Sequence, residues 1–394
     1  MEYSYLSKTS GIGGTLKNEP EDFVVEEITT DGTVLELDKK IDLHGVGDFT
    51  HFVLQKADWS TSAAIKRIAK ALKSGHKRFS FAGTKDKVAL TTQLVSCFGK
   101  SPEEFLNLDL KDIKILGAWR SNEKITLGDL LGNRFCIRVV DSSESVEKVT
   151  KIFTELNEKF PNYFGPQRFG STRQNTHLIG EKLIRNQVED AAMIFLCDYK
   201  GEEHEIAKQA RIELKESENF SQALKFFPKH LHLERSMLDT LAKNSNNFAS
   251  AFRKLPRTIL LLFVHAFQSH LFNHLLSKRI AEGDLELEEG EYFCGEDFLG
   301  FPDLGKKEKQ GWLGGKIIGY ETTLNKREKE LLEEYKIEKE SFKVRSLPEI
   351  SSKGTYRTLL APLKGFNFSN CTFSFLLPSG SYATSALREF LDAK

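Results

Sequence analysis

The sequence has few of the features on which metal sites, disulfide frameworks and membrane spans depend. Its 394 residues include five cysteines, an odd number with no closely spaced pair, so we expect neither a structural metal site nor a disulfide-bonded scaffold. The most apolar run, residues 259–264, is far shorter than the about 20 residues that cross a bilayer. The first residues carry no basic stretch leading into an apolar segment. We therefore expect a soluble, cytoplasmic protein without a membrane segment.

The formal net charge is zero, because 56 basic residues balance 56 acidic ones. This balance argues against a surface that is basic all round, and it leaves local basic patches open. Phenylalanine is abundant, with 30 residues beside three Met and three Trp. The length predicts two domains, or one large domain with an insertion.

Strand-like runs separated by turn residues dominate both ends of the chain. Residues 23–28 and 33–37 flank a Thr-Thr-Asp-Gly turn and predict a hairpin, and residues 51–55 predict a further strand. Helical periodicity takes over from about residue 176 to residue 343. The pattern predicts an α+β fold in which residues 1–165 and 357–394 form one domain with a mainly antiparallel mixed sheet. A mostly helical α/β insertion, residues 166–356, is expected to interrupt it.

A basic stripe is predicted on the helix that follows Ser60. Its lysines recur at helical spacing on the polar side and are Lys66, Lys70, Lys73 and Lys77. Residues 63–88 hold eight basic residues against the single acid Asp86. Such a face suits a phosphate backbone, although an isolated stripe is more often a solvated helix face.

Asp86 is the carboxylate with the most distinctive surroundings in the sequence. It lies between Lys85 and Lys87 in a glycine-containing turn that joins two strand-like runs. Two neighbouring cations favour the ionised form of an aspartate. An ionised carboxylate in a rigid turn can serve as a nucleophile or as an electrostatic stabiliser, and the alternative is a hairpin with charges at its tip.

Five segments together resemble the ordered signature blocks of the TruD pseudouridine synthases. They are KNEPEDFVVEE (residues 17–27), FAGTKDKVALTTQ (81–93), GNRF (132–135), NYFGPQRFG (162–170) and LPSGSYAT (377–384). The resemblance implies a pseudouridine-synthase catalytic domain, a TRUD insertion domain and isomerisation of uridine 13 in tRNA. It implies no metal and no cofactor, and tRNA as the partner with no obligate protein partner.

The same resemblance assigns roles to individual residues. Asp86 matches the catalytic aspartate, and whether it attacks C6 of the base or C1′ of the ribose stays open. The matching substrate-binding positions are Lys17, Phe23, Lys85, Asn133, Phe135, Arg168 and Tyr382. Tyr382 stands where many members have Phe. Phe23 and Tyr382 are expected to wall the base pocket, whereas Phe135 is equally compatible with core packing, and Arg168 binds phosphate or supports its loop.

Two other functions compete with this interpretation. A non-catalytic RNA-binding or RNA-folding protein on the same scaffold would not need an intact Asp86 block. A glycoside hydrolase would need a second acid beside Asp86, and none of the five blocks supplies one.

Overall fold

The computed structural model describes residues 3–16, 19–143 and 145–392, and the chain divides into two compact units. The sheet unit comprises Tyr5–Asn162, Glu296–Asp303 and Leu360–Lys394. The helical unit comprises Met1–Ser4, Tyr163–Gly295 and Leu304–Leu359. Residues 296–303 therefore group with the sheet unit, although the sequence-based limits place them in the insertion.

The first segment of the chain alternates strands with short helices. Its elements are β1 (Phe23–Ile28), β2 (Phe49–Ala57), α1 (Thr61–Ala71), β3 (Phe79–Phe81), β4 (Leu90–Phe98), α2 (Pro102–Leu106), β5 (Ile113–Ser121), β6 (Gly132–Arg138), α3 (Val146–Leu156) and β7 (Lys159–Pro161).

The middle of the chain is mainly helical and also contains strands. Its elements are α4 (Thr176–Ile184), α5 (Val188–Cys197), α6 (Glu205–Ser217), α7 (Phe220–Phe226), α8 (His232–Lys243), α9 (Phe248–Phe252), α10 (Arg257–Glu282), β8 (Tyr292–Glu296), β9 (Pro302–Glu308), β10 (Trp312–Ile317), α11 (Lys326–Glu334) and β11 (Thr355–Thr358). The chain ends with β12 (Leu360–Pro362), β13 (Lys364–Ser369), β14 (Thr372–Pro378) and α12 (Ala383–Leu391).

The sheet unit is built on an eight-stranded mixed sheet. Its strand order is β13-β14-β6-β1-β4-β2-β5, with β3 paired to β4. Strands β1 and β4 run parallel, and the other neighbours on this path are antiparallel. The predicted α+β class with a mainly antiparallel sheet is confirmed. One apolar cluster packs β1, β6 and β14 against α3 and α12, and another packs β2 and β4 against α1.

The helical unit has a large apolar cluster around α10. By length and composition α10 could cross a membrane, but 72% of its apolar window is buried inside the protein, as in the core helix of a globular unit. Gly283 ends α10 in the left-handed conformation that glycine adopts readily. A four-stranded sheet of order β11-β10-β8-β9 accompanies the helices. The sequence analysis missed strands β8 to β10.

Two local predictions are wrong for identifiable reasons. Residues 33–37 form no regular strand. Val34 bridges to Ile28 and the Leu35 N–H donates to the Glu27 carbonyl, but the Leu37 N–H bonds to the Glu26 carboxylate rather than to the backbone of β1. The predicted basic stripe also extends beyond the helix, because Lys73 and Lys77 follow its last residue. Helix α1 ends at Ala71, and Lys73 takes a left-handed φ of 49°.

Candidate active site

The loop that carries Asp86 connects β3 to β4 and is fastened to its neighbours by hydrogen bonds. The Lys85 N–H donates to the Thr61 hydroxyl (3.0 Å), and that hydroxyl donates to the Gln93 side chain (2.8 Å). The Gln93 amide in turn donates to the Gly83 carbonyl (3.2 Å). Thr61 begins α1 and Gln93 lies on β4, so two regular elements fix the backbone beside Asp86.

A buried ion pair lies directly beside Asp86. Lys85 Nζ is 2.5 Å from Glu27 Oε2, and the two side chains are 5% and 1% exposed. The other Glu27 oxygen accepts the Leu94 N–H at 2.9 Å. The ammonium of Lys85 is therefore paired inside the protein. In this structure Lys85 pairs with Glu27, 58 residues away in sequence, and contact of Lys85 with substrate stays a prediction.

Asn133 lies next to this ion pair on the neighbouring strand. In the sheet register it is opposite Glu27 of β1 and Leu377 of β14. Its side-chain oxygen is buried, and no donor within the described part of the chain reaches it. Gly132 before it has no space for a Cβ atom, which would lie 2.2 Å from the Leu377 carbonyl oxygen. The Gly-Asn pair thus fits a crowded strand end.

The two phenylalanines predicted to bind substrate lie in the core of the sheet unit. Phe23 is 2% exposed and Phe135 is 7% exposed, and their rings pack edge to face with centroids 6.3 Å apart. Phe375 of β14 packs against Phe135 from the other side. In this conformation neither ring presents an open face to a base, so their contact with substrate stays a prediction.

The remaining predicted residues lie in different places. Tyr382 is half-buried and follows β14, whose last residue Pro378 pairs with Gly132, so it comes from the same strand end as Asn133. Arg168 belongs to the helical unit, where its Nε donates to the Ser269 hydroxyl (3.0 Å) and its guanidinium lies over the Phe164 ring. This supports the loop-supporting role of Arg168. Lys17 lies outside the described residues.

One residue at the site was missed by the sequence analysis. Lys56, on β2, is 0% exposed, and its Nζ donates to the backbone carbonyl of Asp86 at 2.8 Å. Burial lowers the pKa of Lys56 to about 8, and the nearby charge of Asp86 opposes that shift. The only signal in the sequence is that Lys56 lies near the end of an otherwise uncharged, largely apolar strand.

The basic residues near α1 are all solvent-exposed. They form the basic cluster, which comprises Lys66, Arg67, Lys70, Lys73, Lys77 and Arg78. Only the first three lie on α1, and Lys77 and Arg78 lie in the 3-10 turn that precedes β3. Among residues 3–16, 19–143 and 145–392, no group of three His, Cys, Asp or Glu side chains could hold a metal ion.

Comparisons with known proteins place the chain in a family. The profile of tRNA pseudouridine synthase D (TruD) matches residues 1–390. A protein of Archaeoglobus fulgidus is 38% identical, with 98% of this chain and 97% of that one covered. A protein of Methanosarcina acetivorans is 35% identical, with 98% and 94% covered. Both carry the name "Probable tRNA pseudouridine synthase D".

A solved structure gives the same result. The crystal structure of a TruD protein from Methanosarcina mazei superposes with a TM-score of 0.76 at 34% identity, covering 98% of this chain and 95% of that one. The shared architecture defines an α+β protein with a mixed, mostly antiparallel sheet. The chain belongs to the TruD family of tRNA pseudouridine synthases.

Proposed function

We propose that this protein isomerises uridine to pseudouridine in tRNA, at uridine 13, with Asp86 as the catalytic carboxylate. The observation that carries the proposal is the position of Asp86, on a loop fastened by α1 and β4 and next to the Lys85–Glu27 pair. In this proposal the sheet unit is the catalytic domain and the helical unit is the insertion domain. With tRNA as substrate, we expect a cytoplasmic enzyme.

The reaction exchanges one bond to the ribose for another without any redox change. The bond from C1′ to N1 of uracil breaks and a bond from C1′ to C5 forms, while C5 loses a proton and N1 gains one. The carboxylate of Asp86 acts as nucleophile or stabilises developing positive charge. The uridine must first leave its stack, which costs a few kcal/mol that contacts to the RNA backbone offset.

Asn133 supplies a second reason to place the base at this strand end. A buried polar atom without a partner costs about 1–3 kcal/mol, so the Asn133 oxygen favours a ligand that donates a hydrogen bond. Uracil carries such a donor at N3. We propose that Asn133 accepts this N–H and that Tyr382, whose chain segment follows β14, covers the base. The substrate contacts of Lys17, Phe23, Lys85, Phe135 and Arg168 stay predictions.

The proposed activity is tested with an unmodified tRNA transcript. We expect the purified protein to produce a carbodiimide-reactive stop at position 13 in primer extension, and no such stop on a matched transcript with cytidine 13. Pseudouridine at another position would contradict only the proposed specificity for uridine 13. A complete lack of product on bulk unmodified tRNA, together with tight tRNA binding, would favour the non-catalytic RNA-binding alternative.

Replacing Lys66, Lys70 and Lys73 together by Gln should weaken tRNA binding at low salt. Each lysine that contacts a phosphate contributes about 1 to the slope of log Kd against log salt, so the slope should fall by up to about 3. Filter binding between low and moderate salt measures both quantities. The control replaces exposed Lys111, Lys148 and Lys151, which carry the same charge elsewhere on the sheet unit. Equal slopes for both variants would exclude the basic cluster from the RNA path.

A further inference from the structure

Lys56 is an unusual residue in the sheet unit because its buried ammonium contacts no carboxylate of the described residues at ion-pair distance. Its side chain is fully buried, and it forms no ion pair within the described residues. Buried charges in proteins are normally paired, because desolvation of an isolated charge is costly. The other buried lysine of this site, Lys85, follows that rule through Glu27. The position of Lys56 therefore carries a cost that the fold alone does not explain.

The single hydrogen bond of Lys56 is directed at the residue proposed to do the chemistry. Its Nζ donates to the main-chain oxygen of Asp86 at 2.8 Å. Lys56 comes from β2, whereas two further hydrogen bonds of this loop join it to α1 and β4. The Lys56 bond is made to Asp86 itself. The charged groups that face the ammonium are Asp86, which favours the protonated form, and Lys85, which opposes it.

We infer that Lys56 is a positioning residue, which fixes the backbone of Asp86 and so aims its carboxylate at the uridine. This inference rests on the proposed function of Asp86. Misplacement of a reacting group by about 1 Å can cost about 10²-fold in rate, so one tether at the reacting residue is enough to matter. Burial of the Lys56 ammonium then lowers stability and increases activity, a trade-off that is common at functional sites.

The first test replaces Lys56 by Met, which keeps the length and apolar volume of the side chain. We expect kcat for pseudouridine formation to fall about 10²-fold. The Kd for tRNA should stay unchanged, because the phosphate contacts are elsewhere. We expect the Tm at pH 7 to equal or exceed that of the wild type, because a buried ammonium has been removed. A loss of rate without a loss of stability is the signature of positioning.

A matched control is Lys316→Met in the helical unit. Lys316 is also buried, and its Nζ pairs with Glu328 at 2.9 Å. Its removal leaves Glu328 buried without that partner, so the control should lose stability and keep the kcat of its folded fraction. If Lys56→Met keeps a kcat within about threefold of an active wild type, or loses Tm as Lys316→Met does, the positioning role is refuted.

A second readout does not depend on turnover. In protein labelled with ¹³C at lysine ε-carbons, the Lys56 signal should titrate near pH 8, well below the ordinary value of 10.5. Asp86→Asn should lower this pKa further, because the carboxylate that favours the ammonium is gone. Titration near 10.5, or an Asp86→Asn variant with no shift, would overturn the inference. An inactive wild type that shows the expected titration would contradict the proposed function and leave the Lys56–Asp86 contact established.

Discussion

Asp86→Asn should abolish pseudouridine formation while the protein stays folded and still binds tRNA. The substitution keeps the size of the side chain and removes the negative charge and the nucleophilic oxygen. Loss of a nucleophile or essential carboxylate typically lowers kcat by about 10⁴-fold or more. Affinity for tRNA should change by less than about threefold, because phosphate contacts dominate RNA binding. Single-turnover assays with labelled tRNA and a parallel filter-binding series measure the two quantities.

Asp112→Asn is the control for this experiment. Asp112 is exposed in the same unit and has a left-handed φ of 60°, a conformation that Asn tolerates well. It should therefore keep both stability and activity. If Asp86→Asn retains more than about one-tenth of the wild-type kcat, another group performs the chemistry assigned to Asp86.

The regular elements were predictable where apolar periodicity is strong. Helix α1 follows from Ile65, Ile68 and Ala69 at helical spacing, and the Ser60 side chain caps it by accepting the Ala63 N–H. Strand β2 follows from its apolar residues. Strands β9 and β10 lack such a signal, because glycines and lysines occupy much of residues 305–316. Their hydrogen bonds to neighbouring strands stabilise a conformation that their local sequence does not favour.

The sequence could predict which residues belong to the candidate site, but not which of them contact one another. Asp86 and Asn133 could be named from the signature blocks, since each block is a contiguous segment. Their neighbours could not, because the contact of Lys85 with Glu27 joins residues 58 positions apart and that of Lys56 with Asp86 joins residues 30 apart. Such pairings depend on the sheet order, in which β4 lies between β1 and β2. A single sequence carries no direct signal for that order.

Glu27→Gln should cause the largest loss of stability at this site. Lys85 would keep a buried ammonium that is 5% exposed and no longer faces a carboxylate. Breaking a buried ion pair by removing one partner typically costs about 3–5 kcal/mol. The Gln side chain still offers an oxygen to the Leu94 N–H, so the loss reports on the ion pair rather than on that hydrogen bond. Urea unfolding followed by circular dichroism measures the change.

The double variant Glu27→Leu with Lys85→Met separates the contribution of the ion pair to stability from its contribution to kcat. Replacing both charges by apolar side chains removes two desolvation costs at once, and such replacements are often neutral or stabilising. We therefore expect the double variant to recover most of the unfolding free energy that Glu27→Gln loses. Its kcat should be low, because no directed bond to β1 then holds the side chain at position 85, and Asp86 is the next residue. A double variant with full activity would show that the ion pair serves folding alone. One as unstable as Glu27→Gln would show that the unpaired ammonium is not the main cause of the loss, since Glu27→Leu also leaves the Leu94 N–H without its acceptor.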